Sequence, residues 1–413
     1  MNTGSKKNLK VDGGRLVDRI EELAKIGSLE GGGVCRLAFS DEDKLARDKV
    51  VGWMKGLGLK VVIDRFGNTV AIRQGKEDGP PVMMGSHIDT VESGGAYDGA
   101  LGVLAGLEVI ETLNEAGIVT RHPVAVTFFS NEEGCRFQPD MMGSCVFTGV
   151  LDYDEAIAAA TPDDTTIAEE LARTGIAGER DCGNLAARAF LELHVEQGPT
   201  LEAEGFQVGA VSGVQGLSWS EIMLNGVSNH AGTTPMHLRQ DAGYAAASIA
   251  VYARQLADEI GNGQVATVGV VELQPGQINV VPEQARLTID LRNIDEDKLC
   301  EAENRLELFA RKVAKEEGVE VKISRLARFP PTTFDESLIV LVAETAENLG
   351  FRTRRMPSGA GHDAQIMAPT CPTAMIFVPS RAGVSHNVRE YTYPEDITAG
   401  TDVLLGVVME LAE

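Results

Sequence analysis

Hydrophobic residues change their spacing several times along the chain, and the changes predict alternating helices and strands in its first part. Apolar positions recur at helical spacing over 14–26, and a second helix is predicted from Ser40 to Leu57. Two short apolar runs, 60–64 and 69–72, flank a Gly-Asn turn and predict a hairpin. Because further buried strands then alternate with helices, this part is predicted to be an α/β domain with a largely parallel central sheet.

A different order of elements begins after residue 212. The predicted order is strand, helix, strand, strand, helix, strand, over about 219–224, 241–260, 265–272, 286–291, 296–317 and 319–324. This β-α-β-β-α-β order is typical of a ferredoxin-like α+β unit. A Pro-rich stretch then returns the chain to helix-strand alternation. We therefore predict a discontinuous α/β domain, 1–212 with 329–413, into which a smaller domain, 213–328, is inserted.

The charge balance limits the classes of partner. The chain has 413 residues, with 61 acidic against 37 basic side chains and a net charge of −24. Neither a nucleic acid nor an anionic membrane is an expected partner, because both need a basic surface. No apolar run is long enough to span a membrane, and no apolar stretch follows the first lysines as in a signal peptide. The six cysteines are scattered without a CxxC pair, which favours reduced thiols and a cytoplasmic location.

Histidines and carboxylates recur where predicted strands end and in Gly-rich loops. Of the seven histidines, five lie in segments flanked by Gly or Ser. The chemistry-bearing segments of the larger domain are 85–90, 94–102, 130–134, 191–198 and 383–387. Imidazoles combined with carboxylates suit zinc, manganese or cobalt better than magnesium. Two such ions roughly 3.5–4 Å apart would polarise a carbonyl and activate water.

Spacing within these segments assigns candidate roles. Asp89 comes two residues after His87, on the same face of the predicted strand, and is expected to accept the second ring N–H. Asp98 lies in a Gly-rich loop and can bridge two ions. Of the adjacent Glu132 and Glu133, one can ligate a metal while its neighbour moves the water proton as general base and acid.

The inserted domain adds polar residues of another kind. His230 has no carboxylate nearby in sequence, so it is predicted to donate to an oxyanion rather than to ligate a metal. Asn279 and Arg292 are candidates to bind a substrate carboxylate, which the planar guanidinium fits. By default, however, an arginine at a strand end is a surface charge. His122 is predicted to be structural, and His237 a bystander.

Six motifs follow one another between residues 85 and 364, within a resemblance that covers nearly the whole chain, from about residue 13 to 410. They are Gly85-Ser86-His87-Ile88-Asp89-Thr90, Asp98-Gly99, Asn131-Glu132-Glu133-Gly134, His194-Val195-Glu196-Gln197-Gly198, His230-Ala231-Gly232-Thr233-Thr234-Pro235-Met236 and Ser358-Gly359-Ala360-Gly361-His362-Asp363-Ala364. Together they resemble the amidase/carbamoylase branch of the M20 metallopeptidase-like hydrolases. That branch contains N-carbamoyl-L-amino acid hydrolases, β-ureidopropionases, allantoate amidohydrolases and ureidoglycolate amidohydrolases.

The resemblance implies a centre of two divalent ions, Zn or else Mn, Co or Ni, with one bridging carboxylate. The implied ligands are His87, Asp98 and His194 for one ion, and Asp98, Glu133 and His386 for the other. Glu132 would be the general base, and Asp89 would orient His87. The implied substrate-binding residues are Gln197, His230, Asn279, Arg292, Gly359 and Gly361. No ligand role is implied for His362.

The resemblance also implies an assembly and an activity. In that family the residue equivalent to His230 reaches across from the partner subunit, which implies a homodimer formed through the inserted lid domain. The implied reaction hydrolyses the carbamoyl C–N bond of an N-carbamoyl-L-amino acid to the amino acid, ammonia and carbon dioxide. A small ureido acid would be the substrate.

Other functions stay open from the sequence. Allantoate, ureidoglycolate or N-carbamoyl-β-alanine are alternative ureido substrates. An M20-type dipeptidase or N-acyl amino acid deacylase is a further alternative, which the segments around Gln197, Asn279 and Gly359 disfavour. A non-catalytic protein that binds a metal or a ureido compound belongs to another class, and Glu132 beside Glu133 disfavours it, because binding alone needs no general base.

Overall fold

The computed structural model describes residues 9–183 and 185–413. Residues 1–8 lie outside the described residues. The expectation that the chain has no signal peptide rests partly on them. The chain forms two compact units, one comprising residues up to Gly213 together with Thr333–Glu413, the other Val214–Thr332. The second unit overlaps the predicted insertion, 213–328, and extends slightly beyond it because its last long strand continues to Phe329.

The described residues alternate between helices and strands through most of the chain. The α-helices are α1 Gly13–Ala24, α2 Asp41–Gly56, α3 Ala100–Glu115, α4 Met142–Thr148, α5 Tyr153–Ile157, α6 Ile167–Thr174, α7 Thr200–Glu204, α8 Ala242–Ile260, α9 Glu296–Glu317, α10 Glu336–Asn348, α11 Asp363–Met367 and α12 Pro394–Leu411. The strands are β1 Lys60–Ile63, β2 Thr69–Arg73, β3 Val82–His87, β4 Val124–Phe129, β5 Ala189–Val195, β6 Val208–Val214, β7 Gly216–Asn225, β8 Asn229–His230, β9 Val265–Gln274, β10 Val280–Val281, β11 Gln284–Asn293, β12 Glu320–Phe329, β13 Thr332–Thr333, β14 Thr353–Ser358 and β15 Thr373–Val378.

The larger unit is built on a nine-stranded sheet. Its strand order is β1-β2-β4-β3-β5-β15-β6-β13, with β14 paired to β6. The central strands β4, β3, β5 and β15 run parallel, whereas the pairings of β1, β2 and β6 are antiparallel. Every residue of the four central strands is buried, as expected where helices cover both faces. The predicted α/β class with a mostly parallel central sheet is confirmed.

Helix α3 packs directly on this sheet and follows the loop that carries Asp98. Nearly all of its residues are buried, so its sequence is apolar on every side rather than on one face. Gly102 permits the close approach, because a Cβ there would lie 2.5 Å from the carbonyl oxygen of Leu193 in β5. The packing of α3 therefore fixes the position at which the Asp98 loop ends, next to the carboxyl ends of the strands.

The four long strands and two helices of the smaller unit have the predicted β-α-β-β-α-β order, and the short strands β8 and β10 form a separate ribbon. The four-stranded antiparallel sheet has the order β12-β7-β11-β9, and α8 and α9 pack on it around a common apolar core. Asp241 and Asp295 begin these helices by accepting backbone N–H groups of the first turn. The strands are longer than predicted, because ladder pairing continues through polar residues beyond the apolar runs.

Two expectations from composition bear on the fold. Within the described ranges, no helix is both long and apolar enough to cross a membrane. All six cysteines are free thiols, in line with the expected reduced state. The cytoplasmic location stays a prediction.

Candidate metal centre

The candidate ligands follow from the way neighbouring strands end. Strand β3 ends at His87, β4 is followed by Glu132 and Glu133, and His194 is the next-to-last residue of β5. His386 follows β15 in the next connection. Because these four strands are adjacent and parallel, their carboxyl ends meet at one edge of the sheet, where ligands bind in open α/β sheets.

One group of donors consists of His87, Asp98 and His194, all buried. The Oδ1 atom of Asp98 lies 3.2 Å from Nε2 of His194 and 3.7 Å from Nε2 of His87. The other ring nitrogen of His194 lies 2.8 Å from the carbonyl oxygen of Val195. That contact fixes the ring and leaves Nε2 facing the carboxylate.

A second group shares Asp98 with the first and adds Glu133 and His386. Nε2 of His386 lies 3.4 Å from Oδ2 of Asp98 and 3.3 Å from Oε2 of Glu133. The two oxygens of Asp98 thus face different groups. This geometry allows one carboxylate to serve both, as the sequence predicted for Asp98.

The loop that carries Asp98 depends on the glycine after it. Gly99 has a φ of +61°, and a Cβ there would lie 2.3–2.5 Å from the ring atoms of His87. Its N–H also points at Nε2 of His194, 3.3 Å away. Only a residue without a side chain lets the loop approach both imidazoles in this conformation.

Glu132 lies beside the first group, with Oε2 3.4 Å from Nε2 of His87. The contact predicted between the Asp89 carboxylate and the His87 ring is replaced by another arrangement. Nδ1 of His87 lies 3.0 Å from the Asp89 carbonyl oxygen and 4.0 Å from its Oδ1. The Asp89 carboxylate instead accepts the backbone N–H groups of Glu132, at 3.3 Å, and Glu133, at 3.2 Å. Strand β3 ends at His87, so strand alternation does not extend to Asp89.

Three non-glycine residues at the site have a left-handed backbone. The φ values are +57° at Asn131, +57° at Gln197 and +51° at His386, and such residues concentrate where structure holds side chains for function. The Asn131 amide donates to the Phe137 carbonyl at 2.9 Å, which supports the turn before Glu132. Gln197, predicted to bind substrate, donates from Nε2 to Oδ2 of Asp98 at 2.8 Å.

The electrostatics of the centre are dominated by buried negative charge. Burial, reinforced by neighbouring carboxylates, raises the pKa of both Glu132 and Glu133 well above the usual range. Burial would also raise the pKa of Asp98, but hydrogen bonds with His194 and His386 hold it well below its usual range. The same contact raises the pKa of His194 to about 9 against its burial. A cation at this point would relieve the repulsion among the carboxylates.

The donor set fits a divalent metal ion. Oε1 of Glu133 is buried and has no hydrogen-bond partner, although buried carboxylate oxygens are rarely left without one. Oε1 of Gln197 is in the same situation. Imidazole nitrogens combined with carboxylate oxygens are the ligands that zinc and related divalent ions prefer. The clusters therefore indicate divalent metal binding.

A third group of donors, Glu192, His194 and His362, is also buried. Its atoms already have partners. The Glu192 carboxylate accepts from Ser86 Oγ at 2.6 Å and from a backbone N–H of α11 at 2.8 Å. Nε2 of His362 lies 2.8 Å from a serine Oγ. Glu192 and His362 are thus hydrogen-bonded elsewhere, and the His362 ring packs edge-on against that of His194 with their centroids 4.5 Å apart. Glu192 within an apolar strand was the one sequence signal of this group.

The loop of Gly359 and Gly361 connects β14 to α11 in the larger unit. Ser358, the last residue of β14, accepts the N–H of Ala360 at 3.1 Å and thereby holds the loop in a tight turn. A Cβ at Gly361 would lie 3.2 Å from the Cε atom of Met141. The loop therefore packs against the residue that precedes α4.

In the smaller unit, His230 and Asn279 come together across the β8–β10 ribbon. The backbone N–H of Ala231 donates to the Asn279 carbonyl at 2.9 Å. Nδ1 of the exposed His230 accepts the N–H groups of Gly232 and Thr233, at 3.1 and 3.2 Å. These bonds leave Nε2 of His230 as the nitrogen that carries the proton of the neutral ring, which is the state required of a hydrogen-bond donor.

Arg292 lies on β11 and already has a carboxylate partner. Its Nη2 is 2.9 Å from Oδ2 of Asp290, and its Nε is 3.1 Å from both oxygens of that carboxylate. The two residues are on the same face of one strand, since they are two positions apart. A substrate carboxylate at Arg292 would therefore share the guanidinium with Asp290.

Comparisons with known proteins show which proteins the chain resembles. A model of the peptidase family M20/M25/M40 matches residues 83–410. An N-carbamoyl-L-amino-acid amidohydrolase of Rhizobium meliloti is 41% identical over 408 residues, 98% of each chain. A ureidoglycolate hydrolase of Arabidopsis thaliana is 34% identical over 96% of this chain and 86% of its own. The crystal structure of an amidase of the hydantoinase/carbamoylase family from Burkholderia multivorans matches with a TM-score of 0.96 and 42% identity, covering 98% of both chains.

Proposed function

The chain belongs to the peptidase family M20/M25/M40, and from that premise we propose that it is a metal-dependent amidohydrolase acting on an N-carbamoyl-L-amino acid. Hydrolysis of the carbamoyl C–N bond would give the amino acid, ammonia and carbon dioxide. The observation that carries the proposal is the carboxylate of Asp98 shared by two donor groups, with Glu132 beside them. Similarity over nearly the full length to an N-carbamoyl-L-amino-acid amidohydrolase supports the substrate class.

We assign two divalent ions, Zn or else Mn, Co or Ni, to the two donor groups. Such ions polarise a carbonyl oxygen and lower the pKa of water in a two-metal site. His87 and His194 would hold one ion, Glu133 and His386 the other, and Asp98 both. The unpartnered Oε1 of Glu133 supports this assignment.

The chain itself would move the protons. Glu132 accepts the proton of the attacking water on its carboxylate and returns it to the leaving nitrogen. Asp89 keeps Glu132 in place through its backbone N–H, which is a positioning role rather than the ring contact expected from the sequence. His230 donates from Nε2 to the oxyanion that develops on the carbamoyl oxygen.

Further residues are assigned to substrate recognition. Arg292 and Asn279 would bind the substrate carboxylate, with Asp290 as an internal competitor for the guanidinium. Gln197, whose amide donates a hydrogen bond to Asp98, would orient the carbamoyl group. The loop of Gly359 and Gly361 would contact the same group through its backbone.

We also propose a homodimer formed through the smaller unit. Support comes from large apolar side chains on α8 and on the edge strand β9, where Tyr244 is 60%, Val251 59% and Val271 52% exposed. An edge strand with apolar outward residues is suited to pairing with a second copy. Light scattering after gel filtration should give a dimer for the wild type and a monomer for Val271→Asp. A monomeric wild type would contradict the proposal.

The activity is tested by a substrate panel on protein loaded with Zn²⁺, Mn²⁺, Co²⁺ or Ni²⁺. Ammonia release should be fastest with an N-carbamoyl-L-α-amino acid. The second candidate is ureidoglycolate, favoured by the relative from Arabidopsis thaliana, and allantoate and N-carbamoyl-β-alanine complete the ureido set. Cleavage of dipeptides or N-acyl amino acids in preference to every ureido compound would refute the proposed function.

A further inference from the structure

Glu390 is a buried carboxylate with no assigned role, only 6% exposed. Its Oε1 accepts two consecutive backbone N–H groups, from Tyr97 at 3.1 Å and Asp98 at 3.0 Å. Gly95 makes room for it, because a Cβ at that position would lie 2.1 Å from the same oxygen. The carboxylate therefore determines the backbone position of Asp98, the residue shared by both donor groups.

The other oxygen of Glu390 is attached to the loop that carries His386. Oγ of Ser385 lies 2.8 Å from Oε2 of Glu390 and 3.1 Å from Oδ2 of Asp98. Ser385 is the neighbour of His386 in sequence, so its position sets where the His386 backbone lies. One buried side chain thus connects two loops that are almost 300 residues apart in sequence and that each contribute a donor.

We propose that Glu390 is a positioning residue of the metal centre, which holds the Asp98 loop and the His386 loop at the spacing required to bind the second ion. This inference rests on the proposed two-ion centre. Glu390 itself contributes no ligand atom, since both of its oxygens are occupied by hydrogen bonds. Outer hydrogen-bond partners of this kind typically change metal affinity by about 10- to 100-fold.

The two ions should not be affected equally. Both attachments of Glu390 act on the group of Asp98, Glu133 and His386, whereas only the attachment to the Asp98 backbone acts on the group with His87. Loss of Glu390 should therefore weaken the site of His386 more than the other. At a Mn²⁺ concentration just sufficient to fill both sites of the wild type, the variant should bind closer to one ion per chain than to two.

Three substitutions separate geometry from charge. Glu390→Ala removes both attachments, and Gly95→Ala displaces the carboxylate without removing it. Glu390→Gln keeps an oxygen for the two N–H groups, and its amide can donate to Ser385, which can still donate to Asp98. The matched controls are Asp402→Ala, which removes another buried carboxylate that accepts a backbone N–H, and Gly52→Ala, where a Cβ meets nothing within 4 Å.

The experiment is calorimetric titration of metal-stripped full-length protein with Mn²⁺ alone. We expect the affinity for the more weakly bound of the two Mn²⁺ ions to fall by about 10- to 100-fold in Glu390→Ala and Gly95→Ala. In Glu390→Gln and both controls this affinity should stay close to that of the wild type. If the wild type binds Mn²⁺ and Glu390→Ala binds it equally tightly, the positioning role is refuted while the metal centre stands. An equal loss in Asp402→Ala also refutes it. A wild type that binds no Mn²⁺ refutes the proposed centre.

Discussion

Gly99 offers a sharp test of how closely the Asp98 loop is fitted to the metal centre. Replacing it with alanine would put a Cβ 2.3 Å from Cε1 and 2.4 Å from Nε2 of His87, well inside van der Waals contact. Gly117, at the other end of α3, provides the matched control. Its φ is +63° against +61° at Gly99, and a Cβ there meets nothing within 4 Å.

The difference between the two variants measures the clash together with the strain that an alanine meets at the ψ of −54° of Gly99. Gly117→Ala should lose about 1–2 kcal/mol of folding free energy, the cost of an alanine in the left-handed region. Gly99→Ala carries a backbone cost at least as large, because the ψ of −54° at Gly99 lies outside the left-handed helical well. It adds about 1–3 kcal/mol for overpacking a filled space. Because His87 must move to accommodate the methyl group, Gly99→Ala should also lose affinity for Mn²⁺, whereas Gly117→Ala should keep it.

Urea unfolding of the metal-free proteins measures the stability difference, and calorimetry with Mn²⁺ measures the affinity. The reasoning predicts a larger loss of stability in Gly99→Ala than in Gly117→Ala, and a metal defect in Gly99→Ala alone. Equal stabilities and equal Mn²⁺ affinities for the two variants would show that the loop does not depend on the close approach of Gly99 to His87.

The remaining predictions concern the reaction. Glu132→Gln should lower kcat by about 100- to 10,000-fold, the usual contribution of a general base. Elemental analysis should show the same metal content as in the wild type, and near-normal turnover would show that Glu132 is not the general base. Arg292→Ala should raise KM for N-carbamoyl amino acids but not for a neutral ureido compound. Asp290→Asn should lower KM for the acids, because Asp290 then competes less for the guanidinium; parallel changes on both substrate types would argue against a carboxylate anchor. Chelation by EDTA should abolish ammonia release and lower the unfolding temperature, because an ion that binds only the folded state stabilises it; activity that persists in the stripped protein would be inconsistent with metal dependence.

Much of the fold could be predicted because local signals agree with tertiary structure. Helix α2 begins where Ser40 accepts the N–H of Asp43, and α9 begins at Asp295 in the same way. Strand ends were harder to predict. Strand β12 continues to Phe329, beyond the predicted end at 324, because ladder hydrogen bonds with β7 do not require apolar side chains.

The clustering of the candidate donors was also predictable, since His87, Glu133, His194 and His386 follow or end apolar strands whose carboxyl ends must meet. Their supporting contacts were not. Asp89 was assigned to the His87 ring by strand alternation, but the strand ends at His87. The Asp89 carboxylate instead accepts the backbone N–H groups of Glu132 and Glu133. Such contacts depend on loop conformation, which residue spacing does not specify.

Asp290 and Glu390 illustrate the same limit. Asp290 pairs with Arg292 two positions away on one strand, a contact that the period of the strand allows but does not require. Glu390 meets the Asp98 backbone from a remote loop, and no pattern around it distinguishes it from an ordinary surface glutamate. The sequence therefore predicts which donors come together better than it predicts the contacts that hold them in place.

Anomalous diffraction from crystals grown with Mn²⁺, recorded near the manganese absorption edge, tests the central claim most directly. The account predicts two peaks in each protomer, one among His87, Asp98 and His194, the other among Asp98, Glu133 and His386, with the Asp98 carboxylate between them. A single peak among Glu192, His194 and His362, or no peak at the edge of the sheet, would contradict it.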